Sequence, residues 1–135
     1  MKQWGKGEFQ NLFEWQLVDN VSKLLTRTCE EMRLGRDEEW ILEVIRESAE
    51  NLPGSIIEGQ ESDYLAEYIL GLSAARNALV VASYCFRFLK GQKLIEADKA
   101  DFVDGQLDEL EEVLAQVTDT LRASLASGQG QFSNN

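Results

Sequence analysis

Apolar residues recur at steps of three and four along most of the chain, the spacing of one face of an α-helix. The first series is Phe9, Leu12, Phe13, Leu17, Val18, Val21, Leu24, Leu25, Cys29 and Met32, and it predicts a helix over about 9–32. Gly35 is placed to end that helix in a left-handed conformation, and Asp37 to cap the next. A second helix is predicted over about 38–58, through Trp40, Ile41, Val44, Ile45, Ala49, Leu52, Ile56 and Ile57, with Gly59 ending it. Ser62 and Asp63 then open the longest helix, to about Lys90, closed by Gly91. The fourth runs over about 98–125 on Phe102, Leu107, Leu110, Val113, Leu114, Val117, Leu121 and Leu125. No strand pattern competes, and short connections favour antiparallel neighbours. The fold class is therefore all-α, an up-down-up-down antiparallel four-helix bundle. Its boundaries are a tail over 1–8, the bundle over 9–126, and a disordered tail over 127–135, where SGQGQFSNN carries no periodicity.

The third helix is apolar on two faces. Leu65, Tyr68, Ile69, Leu72, Ala75, Leu79, Ala82, Phe86 and Leu89 form the stripe expected to face the core, and Leu70, Ala74, Val81, Tyr84 and Phe88 form a second. A helix apolar on more than one face needs more than one neighbour. A second copy of the chain is the simplest cover, and the small residues Gly71, Ser73, Ala74, Ala75 and Ala78 would allow close approach.

The only proline, Pro53, interrupts the second helical pattern. Proline inside a helix removes a hydrogen bond and costs about 3 kcal/mol. The sequence predicts a kink near Ala49 to Pro53 rather than two helices, with Pro53 freeing the Ala49 carbonyl, Leu52 and Ile56 still facing the core, and Gly54 admitting a neighbouring backbone. Glu58 is placed to accept backbone N–H bonds where the third helix begins, since negative charge is favoured there.

Composition narrows the picture. At 135 residues and 44% hydrophobic, one domain with one core is expected. The net charge of −11 opposes non-specific binding to phosphate backbones. Between Glu96 and Leu125 nine acidic residues stand against two basic ones. Cys29 and Cys85 lie in apolar stretches and read as buried structural thiols. The first ten residues lack the apolar core of a signal peptide, and no run reaches about 18 uninterrupted apolar residues. The expected location is cytoplasmic, without a membrane partner.

Candidate chemistry is sparse. The chain has no histidine, which removes His-dependent nucleophilic catalysis and the Glu-x-x-His ligand sets of di-iron bundles. No Cys-x-x-Cys or phosphate-loop motif occurs. Asp104, Asp108, Glu111 and Glu112 lie within helical reach of one another and could offer oxygens to Mg²⁺ or Ca²⁺, but the plainer reading is a solvated face. No enzyme activity, cofactor or small-molecule substrate is expected. Arg46, one turn from Glu50, and Arg76 read as ion-pair formers, with phosphate contact as the alternative. Trp15 and Trp40 fall on apolar stripes and are expected to pack, while Trp4, between Lys2 and Lys6, is a candidate for partner contact.

The segment from Arg46 to Gly59, with Ala49 and then Leu52-Pro53-Gly54-Ser55-Ile56-Ile57-Glu58-Gly59, resembles a signature of the small four-helix-bundle proteins encoded within 23S ribosomal RNA intervening sequences. That signature typically reads arginine, alanine, then Ile-Pro-Ala-Asn-Ile-Ala-Glu-Gly, and its marks here are Arg46, Ala49, Pro53, Gly54, Ile56, Glu58 and Gly59. Leu12 with Trp15-Gln16, Glu67-Tyr68 and Ala75-Arg76-Asn77-Ala78-Leu79 resemble other parts of the same family. Gly54, Ser55 and Ile57 depart from its usual Ala, Asn and Ala, and Val81 falls near where it often has a glutamate. The group includes the accessory variability protein of diversity-generating retroelements, and the resemblance implies a ring-like homo-oligomer, a pentamer, acting with RNA, DNA or a nucleic-acid enzyme such as a reverse transcriptase.

Two functions follow as expectations. One is a non-enzymatic homo-oligomeric scaffold associated with RNA or a nucleic-acid enzyme, with contacts at Arg27, Arg33 and Arg36 or at Arg87, Lys90 and Lys93, and an oligomer interface at Leu70, Ala74, Val81, Tyr84 and Phe88. The other is a protein-interaction adaptor that docks a basic partner protein through Asp101, Asp104, Asp108, Glu111 and Glu112, where complementary charge would speed association and select the partner.

Overall fold

The heptad-like spacing in the sequence resolves into four α-helices in the computed structural model, which describes residues 13–128. They are α1 (Phe13–Glu31), α2 (Glu39–Gln60), α3 (Leu65–Gly91) and α4 (Ala97–Ala126), with a 3₁₀ turn at Arg36–Glu38 before α2. The expected tail over 1–8, the start of the first helix at Phe9 and Leu12, the contact candidate Trp4 and most of the C-terminal tail lie outside the described residues.

Cross-helix contacts run backwards along each neighbouring pair, so each pair is antiparallel. Ser22 meets Ala49 while Cys29 meets Leu42. Gly59 lies against Gly71, and Arg76 pairs with Glu111 while Lys90 pairs with Asp101. Helix α3 packs against α2 and α4, and α1 closes the square against the same two helices. This is the expected up-down-up-down arrangement. Every member of the first α3 stripe is buried, from Leu65 to Leu89. By length and apolarity α3 could cross a bilayer, but this stripe packs inside the bundle, against residues such as Val18, Leu25, Ile45, Leu52, Leu107 and Leu114.

Pro53 sits inside α2, which continues unbroken to Gln60. The carbonyl that proline leaves without an intrahelical donor, that of Ala49, is taken by Ser22: its hydroxyl donates from α1 at 2.8 Å. Since buried backbone carbonyls need partners, this bond fixes α1 and α2 in register. Leu52 and Ile56 are fully buried, as expected.

Several local expectations are corrected. Gly59 does not end α2; it lies within the helix, and the close approach assigned to Gly54 belongs to Gly59 and Gly71. A Cβ at Gly71 would stand 2.5 Å from the Ser55 carbonyl oxygen, and one at Gly59 would stand 3.1 Å from the Glu67 oxygen and from the Tyr68 Cα, whereas one at Gly54 would meet nothing within 4 Å. Gly35 is extended, at φ −72° and ψ 170°, so it does not end α1 in a left-handed turn, and Glu38 rather than Asp37 precedes α2, without a side-chain cap. The Arg33 guanidinium donates to the carbonyls of Glu30 and Met32 near the end of α1.

Helix α3 starts at Leu65, with Ser62 accepting from the Tyr64 N–H and donating to Glu67. Glu58 is exposed and accepts none of the bonds at that start. The end of α3 is made by Lys93, not Gly91. Lys93 is left-handed at φ 59°, its N–H bonds the Lys90 carbonyl, and the Leu94 N–H bonds that of Leu89, the paired hydrogen bonds of a Schellman cap. Helix α4 buries Ala100, Val103, Leu107, Leu110, Leu114 and Thr118. Phe102 and Leu125 are exposed, and Val113, Val117 and Leu121 only half-buried, because the buried stripe runs through Ala100 and Val103.

Candidate functional site

Four of the eight large hydrophobic residues exposed among the described residues, Leu70, Val80, Tyr84 and Phe88, lie on the outer side of α3. Leu70 and Tyr84 are two-thirds exposed, Phe88 and Val80 nearly half, Ala74 is exposed and Val81 half-buried. At 3.6 residues per turn this ridge lies opposite the buried stripe of the same helix. The sequence assignment of two faces to α3 therefore holds for the buried stripe, and the second stripe has no cover among the described residues. The small residues are divided between the two faces: Gly71 serves contact with α2, Ala75 and Ala78 are buried within the bundle, and Ala74 alone of the alanines stays on the ridge.

Grooves flank the ridge. Between α2 and α3, one is lined by Ser55, Glu58, Gly59, Glu67, Leu70, Gly71 and Ala74, and it is continued by one lined by Val44, Asn51, Ser55, Ala74, Asn77 and Val81 among others. On the other side Val80, Tyr84, Arg87, Asp108 and Glu111 border a groove between α3 and α4. Trp40, expected to pack, is instead 59% exposed, because it stands at the first turn of α2, where its stripe has run out of neighbours. Trp15 packs against the core as expected.

The acidic face of α4 is partly spent inside the molecule. Glu111 holds Arg76 in a two-pronged pair, with Nε at 2.9 and 3.0 Å and Nη2 at 2.8 Å, and this hydrogen bonding raises the guanidinium pKa further. Asp104 accepts from the Ser83 hydroxyl at 2.6 Å and faces Arg87 at 3.4 Å, and Asp101 accepts from Lys90 at 2.6 Å. Asp108 and Glu112 are exposed and form no such pair among the described residues. Among the described residues no group of three or more Cys, Asp or Glu is arranged to hold a metal ion.

The two basic clusters fare differently. Arg87 and Lys90 face the carboxylates of α4, with Lys93 in the turn beyond, while Arg33 is bound to backbone carbonyls. Arg27 and Arg36 are exposed and hold no ion pair within 4 Å among the described residues. Arg46, read against Glu50, pairs instead with Glu43 on the preceding turn at 3.0 Å. Cys29 and Cys85 are buried free thiols, as expected. Burial pushes Cys29 up to about 11, against a smaller opposing effect of Arg46, and raises Cys85 as well. At the opposite end of the bundle Gln60 and Tyr68 are buried and hydrogen-bonded to each other, and burial raises the Tyr68 phenol strongly.

Sequence reasoning missed Ser22. The signal was present in Pro53, which implies a donor from outside the helix, but not the identity of the donor. No protein-family model matches the chain, and no curated protein sequence matches it significantly.

Proposed function

We propose that this protein is a non-enzymatic, cytoplasmic homo-oligomeric scaffold whose copies meet through the outer ridge of α3. The observation that carries the reading is the ridge itself: Leu70, Val80, Tyr84 and Phe88 stand out on a helix whose other side fills the core. Contiguous apolar surface of this kind marks an interaction site. The resemblance to the intervening-sequence proteins adds association with RNA or a nucleic-acid enzyme, and a ring of five as the expected assembly. Direct contact with nucleic acid would fall to Arg27 and Arg36, which are exposed and outside the ion pairs, more than to Arg87 and Lys90. Light scattering of the purified chain tests self-association, and RNA binding at low and high salt tests the nucleic-acid contact. Salt-insensitive or absent binding would remove the latter.

A second reading is favoured by α4. Asp108, Glu109, Glu112 and Asp119 remain exposed on its outer side, and such a face attracts a basic partner protein. Reversing Asp108 and Glu112 to lysine would abolish capture of that partner and leave the oligomer intact. An unchanged partner list would end this reading.

A further inference from the structure

We infer that the groove between α2 and α3 lined by Glu58, Gly59, Glu67, Leu70, Gly71 and Ala74 is the seat of this chain's own residues 2–9, with Trp4 on its floor. Self-association through the ridge gives Trp4 and its flanking lysines no role, and these residues lie outside the described part of the chain.

Shape, charge and reach select this occupant. Gly59 and Gly71 bring no side chains to the groove, and Leu70 and Ala74 are exposed along its edge. A flat aromatic ring therefore finds apolar contact there. An indole also wants a polar partner for its N–H, and Ser55 and Glu58 line the same groove.

Glu58 stands on the α2 side of this groove and Glu67 on the α3 side. Neither pairs with a cation among the described residues, and Glu67 accepts from the neutral Ser62 hydroxyl. The chain carries no lysine or arginine between Arg46 and Arg76, so this part of the surface is acidic throughout. Residues 2–9, KQWGKGEF, set Lys2 and Lys6 against one acid, Glu8. In an extended segment, residues two apart point to the same side. Lys2, Trp4 and Lys6 then face one way, an indole between two ammonium groups, and the groove offers the matching order of glycines between two carboxylates. Complementary charge across a contact fixes partner and register. Other grooves lack this match: the one between α3 and α4 carries Arg87, and the one beside Met32 carries Arg33 and Lys99.

The segment also starts at the right place. Helix α1 begins at Phe13, and the register set by Ser22 with Ala49 and Cys29 with Leu42 brings Phe13 level with Glu58. From there the groove lies across α2, a path of about 20 Å, or two helix diameters. The nine residues from Phe13 back to Trp4 span up to about 30 Å when extended. Seated this way, the segment covers the α2 side of Leu70 and leaves Val80, Val81, Tyr84 and Phe88 to the contact between copies.

The test is photo-cross-linking of full-length Trp4→benzoylphenylalanine at low and high salt, with adducts located by peptide mass spectrometry, and repeated with Glu58→Lys or Glu112→Lys added. Glu58 and Glu112 are both exposed, and Glu112 lies on α4, away from the groove. The expected result is an adduct within the same chain on residues 55–74, in a yield that falls several-fold at high salt or with Glu58→Lys and holds with Glu112→Lys. Adducts on residues 55–74 of a second chain, seen as a covalent dimer, overturn the assignment to the chain's own segment. Adducts elsewhere, no adduct, or a yield that Glu58→Lys leaves unchanged overturn the seat itself. Each of these outcomes leaves self-association through the ridge standing, since Tyr84 and Phe88 take no part in the contact.

Discussion

Substituting Ser22→Ala removes a hydroxyl whose one described role is to serve a carbonyl that proline has orphaned. Ser22 donates to the Ala49 oxygen at 2.8 Å, Ala49 is 2% exposed, and Pro53 has no N–H to offer. A buried carbonyl left without a donor costs about 1–3 kcal/mol; with Ser22 itself half-buried, we place Ser22→Ala at about 1.5 kcal/mol. The same substitution in a Pro53→Ala background is different. There the new alanine supplies the ordinary backbone N–H to the Ala49 oxygen, and loss of the serine would then cost under about 0.5 kcal/mol, leaving a coupling of about 1 kcal/mol between residues of different helices. Pro53→Ala alone raises stability by about 1–2 kcal/mol, because the restored helix bond outweighs the lost rigidity of the unfolded chain. Urea unfolding of all four proteins, followed by circular dichroism at one protein concentration, reads this cycle, since self-association would otherwise shift the midpoints. Equal costs of Ser22→Ala in both backgrounds would refute the reasoning.

Further predictions address the helix crossing, the caps and the thiols. Gly71→Ala forces a Cβ to 2.5 Å from the Ser55 oxygen and lowers stability by roughly 2 kcal/mol or more through displacement of α2, whereas Gly54→Ala, with open space around it, raises it by up to about 1 kcal/mol; thermal melts separate the two. Lys93→Gly relieves a left-handed lysine and raises stability by about 1 kcal/mol in the same melts. Stability falls as pH rises from 9 to 11: the Cys29 thiol ionises near 9 when unfolded and only at about 11 in the fold, so the unfolded state releases its proton first. Cys29→Ala flattens that part of the pH profile, and an unchanged slope would exclude Cys29 as its source.

How much of this was legible in the sequence depended on whether a residue's surroundings were local. Both stripes of α3 could be read, because helical period alone separates opposite faces and the chain carries enough apolar residues to mark each. In α4 the period was also clear, but its phase was set by Ala100 and Val103 rather than by the larger Phe102, and size was a poor guide to facing. The end of α1 and the turn after α3 use Arg33 and Lys93 where glycine was expected, since a side-chain donor and a pair of backbone bonds replace the conformational freedom of glycine. The contact of Gly59 with Gly71, the bond of Ser22 to Ala49 and the pairs of α3 with α4 join residues distant in sequence. Periodicity is silent on such partners. The carboxylates of Asp101, Asp104 and Glu111 accordingly read as open surface although each already faces a cation.

Whether the outer ridge of α3 is an interface between copies of this chain is tested most directly by native mass spectrometry of the unmodified protein and of Tyr84→Glu, with circular dichroism of both. The account predicts a mass that is a multiple of 15.3 kDa for the unmodified chain, and a fall to the single-chain mass for Tyr84→Glu with helix content retained. An unmodified chain that stays at the single-chain mass, or a Tyr84→Glu variant that keeps the full assembly, would contradict it.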